Sequence, residues 1–178
     1  MVSAPPPYYW LRKLRSFFVL HDRDLDGVIS REDVVDYPVN RAKTFLGETK
    51  AKDLEILLSR GWADFLGGDN QTATFDAIIG NFARTFTDPN FSEVNTKMAE
   101  LMFTAVDINN DNMVTLEEYT RVLECFGVHP LSVQPSFEAL DANKDGLISK
   151  EEFIDAAVQY FQCTCESPGA LFWGPLRA

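Results

Sequence analysis

Oxygen-bearing side chains recur at fixed intervals in three twelve-residue windows of this 178-residue chain. In Asp141-Ala-Asn-Lys-Asp-Gly-Leu-Ile-Ser-Lys-Glu-Glu152 they fall at positions 1, 3, 5, 9 and 12, with glycine at position 6. A hard divalent cation such as calcium takes about six to eight oxygens, and a loop of this length and spacing supplies them. Asp141, Asn143 and Asp145 each offer one side-chain oxygen, and Leu147 offers its backbone carbonyl. Ser149 contributes directly or through a water, and Glu152 closes the set with both carboxylate oxygens. Gly146 permits the sharp turn, because glycine takes positive φ without steric cost.

Two further windows repeat the pattern. Asp22-Arg-Asp-Leu-Asp-Gly-Val-Ile-Ser-Arg-Glu-Asp33 places Asp22, Asp24, Asp26, the Val28 carbonyl and Asp33 in the ligand positions. Asp107-Ile-Asn-Asn-Asp-Asn-Met-Val-Thr-Leu-Glu-Glu118 does the same with Asp107, Asn109, Asp111, the Met113 carbonyl and Glu118. Three matches in one chain argue against accidental acidic turns and mark an EF-hand repeat, in which a helix enters and leaves each loop. The interval between the first two windows is too long for adjacent hands. A degenerate hand is expected there, with a loop from Ala63 to Thr74 that keeps the fold and has lost its metal. Phe75 then matches Val34, Tyr119 and Phe153 just after the other loops. The fold expected is all-α: four EF-hands in two pairs within one compact body, with residues 1–87 holding hands I and II and residues 88–178 holding III, IV and the tail. Position 8 carries Ile29, Val114 and Ile148, and short two-strand contacts there should join the paired loops. Asn70 takes that position in the silent loop.

The elements that must position these loops follow the helical period. The first helix is expected from about Tyr8 to His21, with Trp10, Leu11, Leu14, Phe17 and Phe18 inward and Arg12, Lys13 and Arg15 solvated. Pro38 lacks the N–H that the Val34 carbonyl needs and disfavours the α region at Tyr37, so the helix after loop I should break or kink there and end at Gly47. The helix entering hand II spans roughly Lys50 to Leu66, and the one leaving it carries Ile78, Ile79, Phe82 and Phe86. Thr87-Asp-Pro-Asn90 makes the turn between halves. Ser92 can cap the next helix and Ser132 a later short one, and Gly127 ends the helix after loop III.

The three loops are not equivalent. Loop IV has the standard set. Loop III holds Asn112 in place of glycine, and asparagine tolerates positive φ at a cost of about 1 kcal/mol or less. Loop I brings four carboxylates but ends in Asp33, one methylene shorter than glutamate. Fewer oxygens at shorter range suit six-coordinate Mg²⁺, so a mixed Ca²⁺/Mg²⁺ site is expected at loop I.

Net charge is −11, which argues against nucleic acid and anionic membranes as partners. Three bound Ca²⁺ would bring the formal charge to −5. Cys125, Cys163 and Cys165 are too few, and odd in number, for a disulfide framework, and are read as reduced thiols of a cytosolic protein. Neither a secretion leader, nor a myristoylation signal (residue 2 is Val), nor a membrane span is expected. His21 and His129 form no catalytic pair, and the chain is read as a non-enzyme.

Loops I, III and IV intact with II silent, Asn112, Asp33 and the ending Phe172-Trp-Gly-Pro-Leu176 together resemble the sarcoplasmic calcium-binding proteins, invertebrate four-hand proteins. The resemblance covers nearly the whole chain, with Pro38 as a departure. It implies a compact cytoplasmic (sarcoplasmic) calcium and magnesium buffer of muscle, also present in neurons, with the fifteen ligand positions above carried over. A monomer with no obligate protein partner is expected. The chain has four Met but 22 aromatic residues, which favours a filled core over the Met-rich groove of a sensor, and Leu171-Phe-Trp173 is placed to lie across the face where a target would dock. The alternatives are a sensor of a channel or enzyme, as proposed for the similar calexcitins, and a luciferin-binding or photoprotein-like module.

Overall fold

The computed structural model describes residues 7–176. The loose start expected for residues 1–7 therefore lies, Pro7 apart, outside the described residues. Among the described residues eight α-helices follow one another: α1 (Tyr8–His21), α2 (Tyr37–Phe45), α3 (Glu48–Gly61), α4 (Phe75–Ala83), α5 (Pro89–Val106), α6 (Leu116–Cys125), α7 (Val133–Leu140) and α8 (Lys150–Gln162). Four short strands lie between them: β1 (Val28–Ser30), β2 (Thr72–Thr74), β3 (Met113–Val114) and β4 (Ile148–Ser149). β1 pairs antiparallel with β2 and β3 with β4, so hand I joins II and III joins IV.

Pro38 is absorbed without a break. A π-helical turn over Glu32–Asp36 precedes α2, and the Tyr37 amide donates to the Glu32 carbonyl five residues back. The wider turn changes the hydrogen-bond register just where proline lacks a donor. Tyr37 stays in the α region (φ −64°, ψ −54°), contrary to expectation, and Pro38 sits in the first turn of α2. A second π-helical turn, Trp62–Leu66, extends α3. There the Gly67 and Gly68 amides both reach the Trp62 carbonyl, and a Cβ on Gly67 would lie 2.0 Å from the Trp62 ring. α5 is capped by Asp88, whose side chain accepts from the Asn90 amide, and not by Ser92.

A single apolar core draws on all eight helices and the tail. Trp10, Leu14, Phe17 and Phe18 of α1 are buried as the periodicity predicts, but so is Lys13. Its ammonium donates to the carbonyls of Gln159 and Cys163, each at 2.7 Å, at the C-terminus of α8. A cation at that end satisfies free carbonyls and complements the helix dipole. The Trp10 indole donates to the Phe161 carbonyl at 2.6 Å, and the Tyr160 hydroxyl to the Lys13 carbonyl at 2.6 Å. α1 and α8, from opposite ends of the chain, are thereby bonded directly.

Burial pushes the Lys13 ammonium down to about 8 from the ordinary 10.5. The unfolded chain then binds this proton more tightly between those values, so the Lys13 contribution to stability rises as pH increases from 8 to 10.5 and is flat below 8. Urea midpoints of the parent and Lys13→Met, compared at pH 7.5 and pH 10, should differ more in the parent's favour at the higher pH.

The tail is also part of the core. Residues Pro168–Leu171 form a 3₁₀ turn, after which Phe172 and Trp173 are buried. Phe172 meets Phe153 edge-on at 5.0 Å, and Trp173 meets Phe126 at 4.9 Å and Phe17 at 5.5 Å. The Tyr119 hydroxyl donates to the Phe172 carbonyl at 2.6 Å.

Candidate metal centres

Loops III and IV have the same internal geometry. The first carboxylate is buried in each and accepts backbone amides through both oxygens: Asp107 from Asp111 and Asn112, Asp141 from Asp145 and Gly146, at 2.9–3.2 Å. Asp111 and Asp145 each accept the amide two residues on, at 2.9 Å. The last glutamate folds back over the loop. Oε1 of Glu118 accepts the Ile108 and Asn109 amides, and Oε1 of Glu152 those of Ala142 and Asn143. Their Oε2 atoms close capping boxes with Thr115 and Ser149. The expected carboxylates and amides are thus brought to one loop in each case. Burial raises Glu152, but the Ser149 amide and hydroxyl with the Asn143 and Ala142 amides outweigh it and hold the carboxyl below its ordinary value. The strand register sets Val114 opposite Ile148, and Met113 begins β3.

The backbone demands are met as anticipated. Gly27 (φ +88°), Asn112 (φ +67°) and Gly146 (φ +86°) take the left-handed conformation at position 6. Leu25, Asn110 and Lys144 share it at position 4, a feature of all three loops that residue types alone did not announce.

Loop I differs at its end. One carboxylate oxygen from each of Asp22, Asp24 and Asp26 lies within 4.8 Å of the others. Oδ2 of Asp22 accepts the Gly27 amide, while its Oδ1 is buried with no hydrogen-bond partner among the described residues. A buried, unpaired carboxylate oxygen beside two further carboxylates is costly unless a cation joins them. This donor set fits a hard divalent ion. Asp33 closes a capping box with Ser30, as the glutamates do, through Oδ2 at 2.6 Å from the hydroxyl. Its other oxygen receives the Arg23 guanidinium at 3.1 Å instead of the backbone amides that the longer glutamates reach. Arg23 in turn lies 3.5 Å over the Tyr37 ring. Burial pushes Asp33 up, yet the Ser30 hydroxyl and amide and then Arg23 outweigh it and hold the carboxyl low.

Loop II is displaced from where the spacing put it. Ile29 faces Ala73 and not Asn70. Thr74 caps α4 by accepting the Ala77 amide, so it matches Ser30, Thr115 and Ser149 at position 9. Counting back from Ala73, the loop runs from Leu66 to Ala77, and Ile78, fully buried, takes the place assigned to Phe75. Leucine at position 1 and alanine at position 12 offer no side-chain oxygen. The second π-helical turn carries the entering helix past Ala63, which is why the earlier start fails. The recurring Ser/Thr with an apolar residue four positions on was the signal that could have set this frame.

Lys50, a buried residue that the loop motifs do not flag, belongs to the same region. Its ammonium donates to the Thr104 and Asp107 carbonyls at 2.7 and 2.5 Å and to Asn110 Oδ1 at 2.9 Å. It closes the C-terminus of α5 and ties α3 to the start of loop III.

The EF-hand domain pair family matches residues 95–158, which hold loops III and IV. A sarcoplasmic calcium-binding protein of Perinereis vancaurica tetradentata is 36% identical over 175 residues, covering 94% of this chain and 98% of that protein. The chain belongs to the sarcoplasmic calcium-binding protein family. A second such protein, from Hediste diversicolor, is 33% identical over 174 residues with the same coverage. As a sarcoplasmic calcium-binding protein family member the chain is a calcium-binding EF-hand protein and not an enzyme. Among solved structures, coelenterazine-binding protein of Renilla muelleri in its calcium-loaded apo form aligns with TM-score 0.75 at 22% identity, covering 94% of this chain and 96% of that one. Okadaic acid binding protein 2.1 aligns with TM-score 0.74 at 21% identity, covering 98% and 100%. These likenesses show the shared fold. Among the described residues of this sarcoplasmic calcium-binding protein family member, no helix is long and apolar enough to cross a membrane.

Proposed function

We propose that the protein is a cytoplasmic calcium buffer, monomeric and without an obligate protein partner, holding up to three divalent ions. Asp22, Asp24, Asp26, Val28 and Asp33 would hold one, Asp107, Asn109, Asp111, Met113 and Glu118 the second, and Asp141, Asn143, Asp145, Leu147 and Glu152 the third. The bound ion neutralises carboxylates that otherwise repel one another across each loop. The observation that carries the buffer reading is the seating of Phe172 and Trp173 in the core between the halves. A sensor releases an apolar groove to its target on binding calcium, whereas here the chain's own tail occupies that ground. Fluorescence of a hydrophobic dye should stay low with and without calcium. A strong calcium-dependent rise would favour a sensor instead.

Magnesium competes at loop I in this account. Asp33 is one methylene shorter than Glu118 and Glu152, and one of its oxygens is paired with the Arg23 guanidinium where the matching oxygens of the glutamates accept only backbone amides. Titration with Mg²⁺ followed by NMR should shift residues of loop I at millimolar ion and leave loops III and IV weakly affected. Absence of any loop I response at that concentration would count against the mixed site.

A further inference from the structure

Cys125, Cys163 and Cys165 are all free thiols, and two of them lie together just past α8. Cys163 caps that helix through its amide, which donates to the Gln159 carbonyl, and its own backbone is extended (φ −75°, ψ 134°). Side chains two residues apart on extended backbone share a face, and the chain bends over residues 164 and 165. The two Sγ atoms stand 3.0 Å apart. A disulfide holds its sulfurs at about 2.05 Å, so an approach of about 1 Å would join them. Cys165 is exposed and Cys163 partly so, which lets a small solute reach the pair. Cys125 is buried, and burial pushes its thiol up to about 12.

The surroundings set the two sulfurs apart. The Lys13 ammonium, bound to the Cys163 carbonyl at 2.7 Å, brings a cation to this end of α8. A neighbouring cation favours the thiolate, which is the nucleophilic form. The Cys165 thiol holds Cys163 below its ordinary value against the push of burial, with help from Lys13, while Cys163 pushes Cys165 up.

We propose that Cys163 and Cys165 form a peroxide-reactive dithiol, a site of reversible modification that closes to a disulfide within the chain. The Cys163 thiolate attacks one oxygen of hydrogen peroxide. The O–O bond breaks, the departing oxygen takes a proton and leaves as water, and Cys163 becomes a sulfenic acid. The Cys165 sulfur then attacks the Cys163 sulfur, the S–O bond breaks, and the hydroxide leaves as water with the Cys165 proton. Two thiols and one peroxide give one disulfide and two waters, the sulfurs supplying both electrons. An exposed disulfide is of the labile kind, and a small thiol reverses it by exchange. Neither cysteine is among the proposed ion ligands, so this site stands or falls apart from the buffer reading.

The test treats the reduced, calcium-loaded full chain with one equivalent of hydrogen peroxide, then alkylates the remaining thiols under denaturing conditions and counts them by intact mass spectrometry. Alkylation should fall from all three cysteines to Cys125 alone, in a monomeric product that dithiothreitol restores. Cys165→Ser should react with peroxide within about twofold of the parent rate but stop at the sulfenic acid, trapped by a cyclic dione. Cys163→Ser should react about tenfold more slowly, because the remaining thiol lacks the cation-assisted position. Three thiols still alkylated, a disulfide between two chains, consumption of Cys125, or equal rates in the two single variants would each overturn the proposal.

Discussion

Glu152→Gln is expected to remove one calcium ion from the protein at micromolar free calcium. The carboxylate of Glu152 lies over loop IV with Oε1 on the Ala142 and Asn143 amides and Oε2 on Ser149. Glutamine keeps the length and can still complete a capping box, so the fold should persist. It loses the charge and one of the two carboxylate oxygens that would close the ion's shell. Ligand charge tunes affinity in such loops over several orders of magnitude, and a loss of about 100-fold or more at loop IV is the expected size. Val114 pairs with Ile148 across the two loops, so loop III should weaken too, by less. Calcium titration monitored by calorimetry checks this: a variant that still binds a third ion within tenfold of the parent affinity would contradict the role given to Glu152.

Phe172→Ala should destabilise the protein by about 3–5 kcal/mol, the usual cost of truncating a buried aromatic. Phe172 is 1% exposed, packs edge-on against Phe153 and Trp173, and presents its carbonyl to the Tyr119 hydroxyl. Its removal should also loosen Trp173 from Phe126 and Phe17 and open the apolar ground beneath. Urea unfolding gives the first effect, and hydrophobic-dye fluorescence gives the second, which should now rise. A variant with parent-like stability and no dye response would show that the tail does not cover the core in the way described.

Much of this molecule could be read from residue order. The boundaries of α1, the pairing of the hands and the apolar contacts of β3 with β4 follow from period and loop spacing, because burial of one helix face and a twelve-residue loop leave few alternatives. What could not be read depends on contacts between distant segments. Lys13 looked like a solvated charge beside Arg12 and Arg15, yet it closes the end of a helix about 150 residues away. Lys50 has the same role toward loop III across more than fifty residues. The two π-helical turns were not foreseeable from periodicity, since each spans only five residues, too few to leave a period of its own in the sequence. One of them moved loop II by three residues and replaced Asn70 with Ala73 opposite Ile29. The other lets Pro38 stay within a continuous helix although proline has no N–H to give the ladder. Within loop I the four carboxylates were plain from the sequence. That Arg23 would pair with Asp33 was not, because the sequence shows the missing methylene but not which side chain meets the oxygen it holds back from the loop amides.

Calcium calorimetry on the intact chain, run with and without millimolar Mg²⁺, counts the ions that loops I, III and IV hold together. Three ions per molecule at saturation are expected, with magnesium displacing the heat of one of them. Fewer than two at saturation would show that these loops do not hold the ions assigned to them.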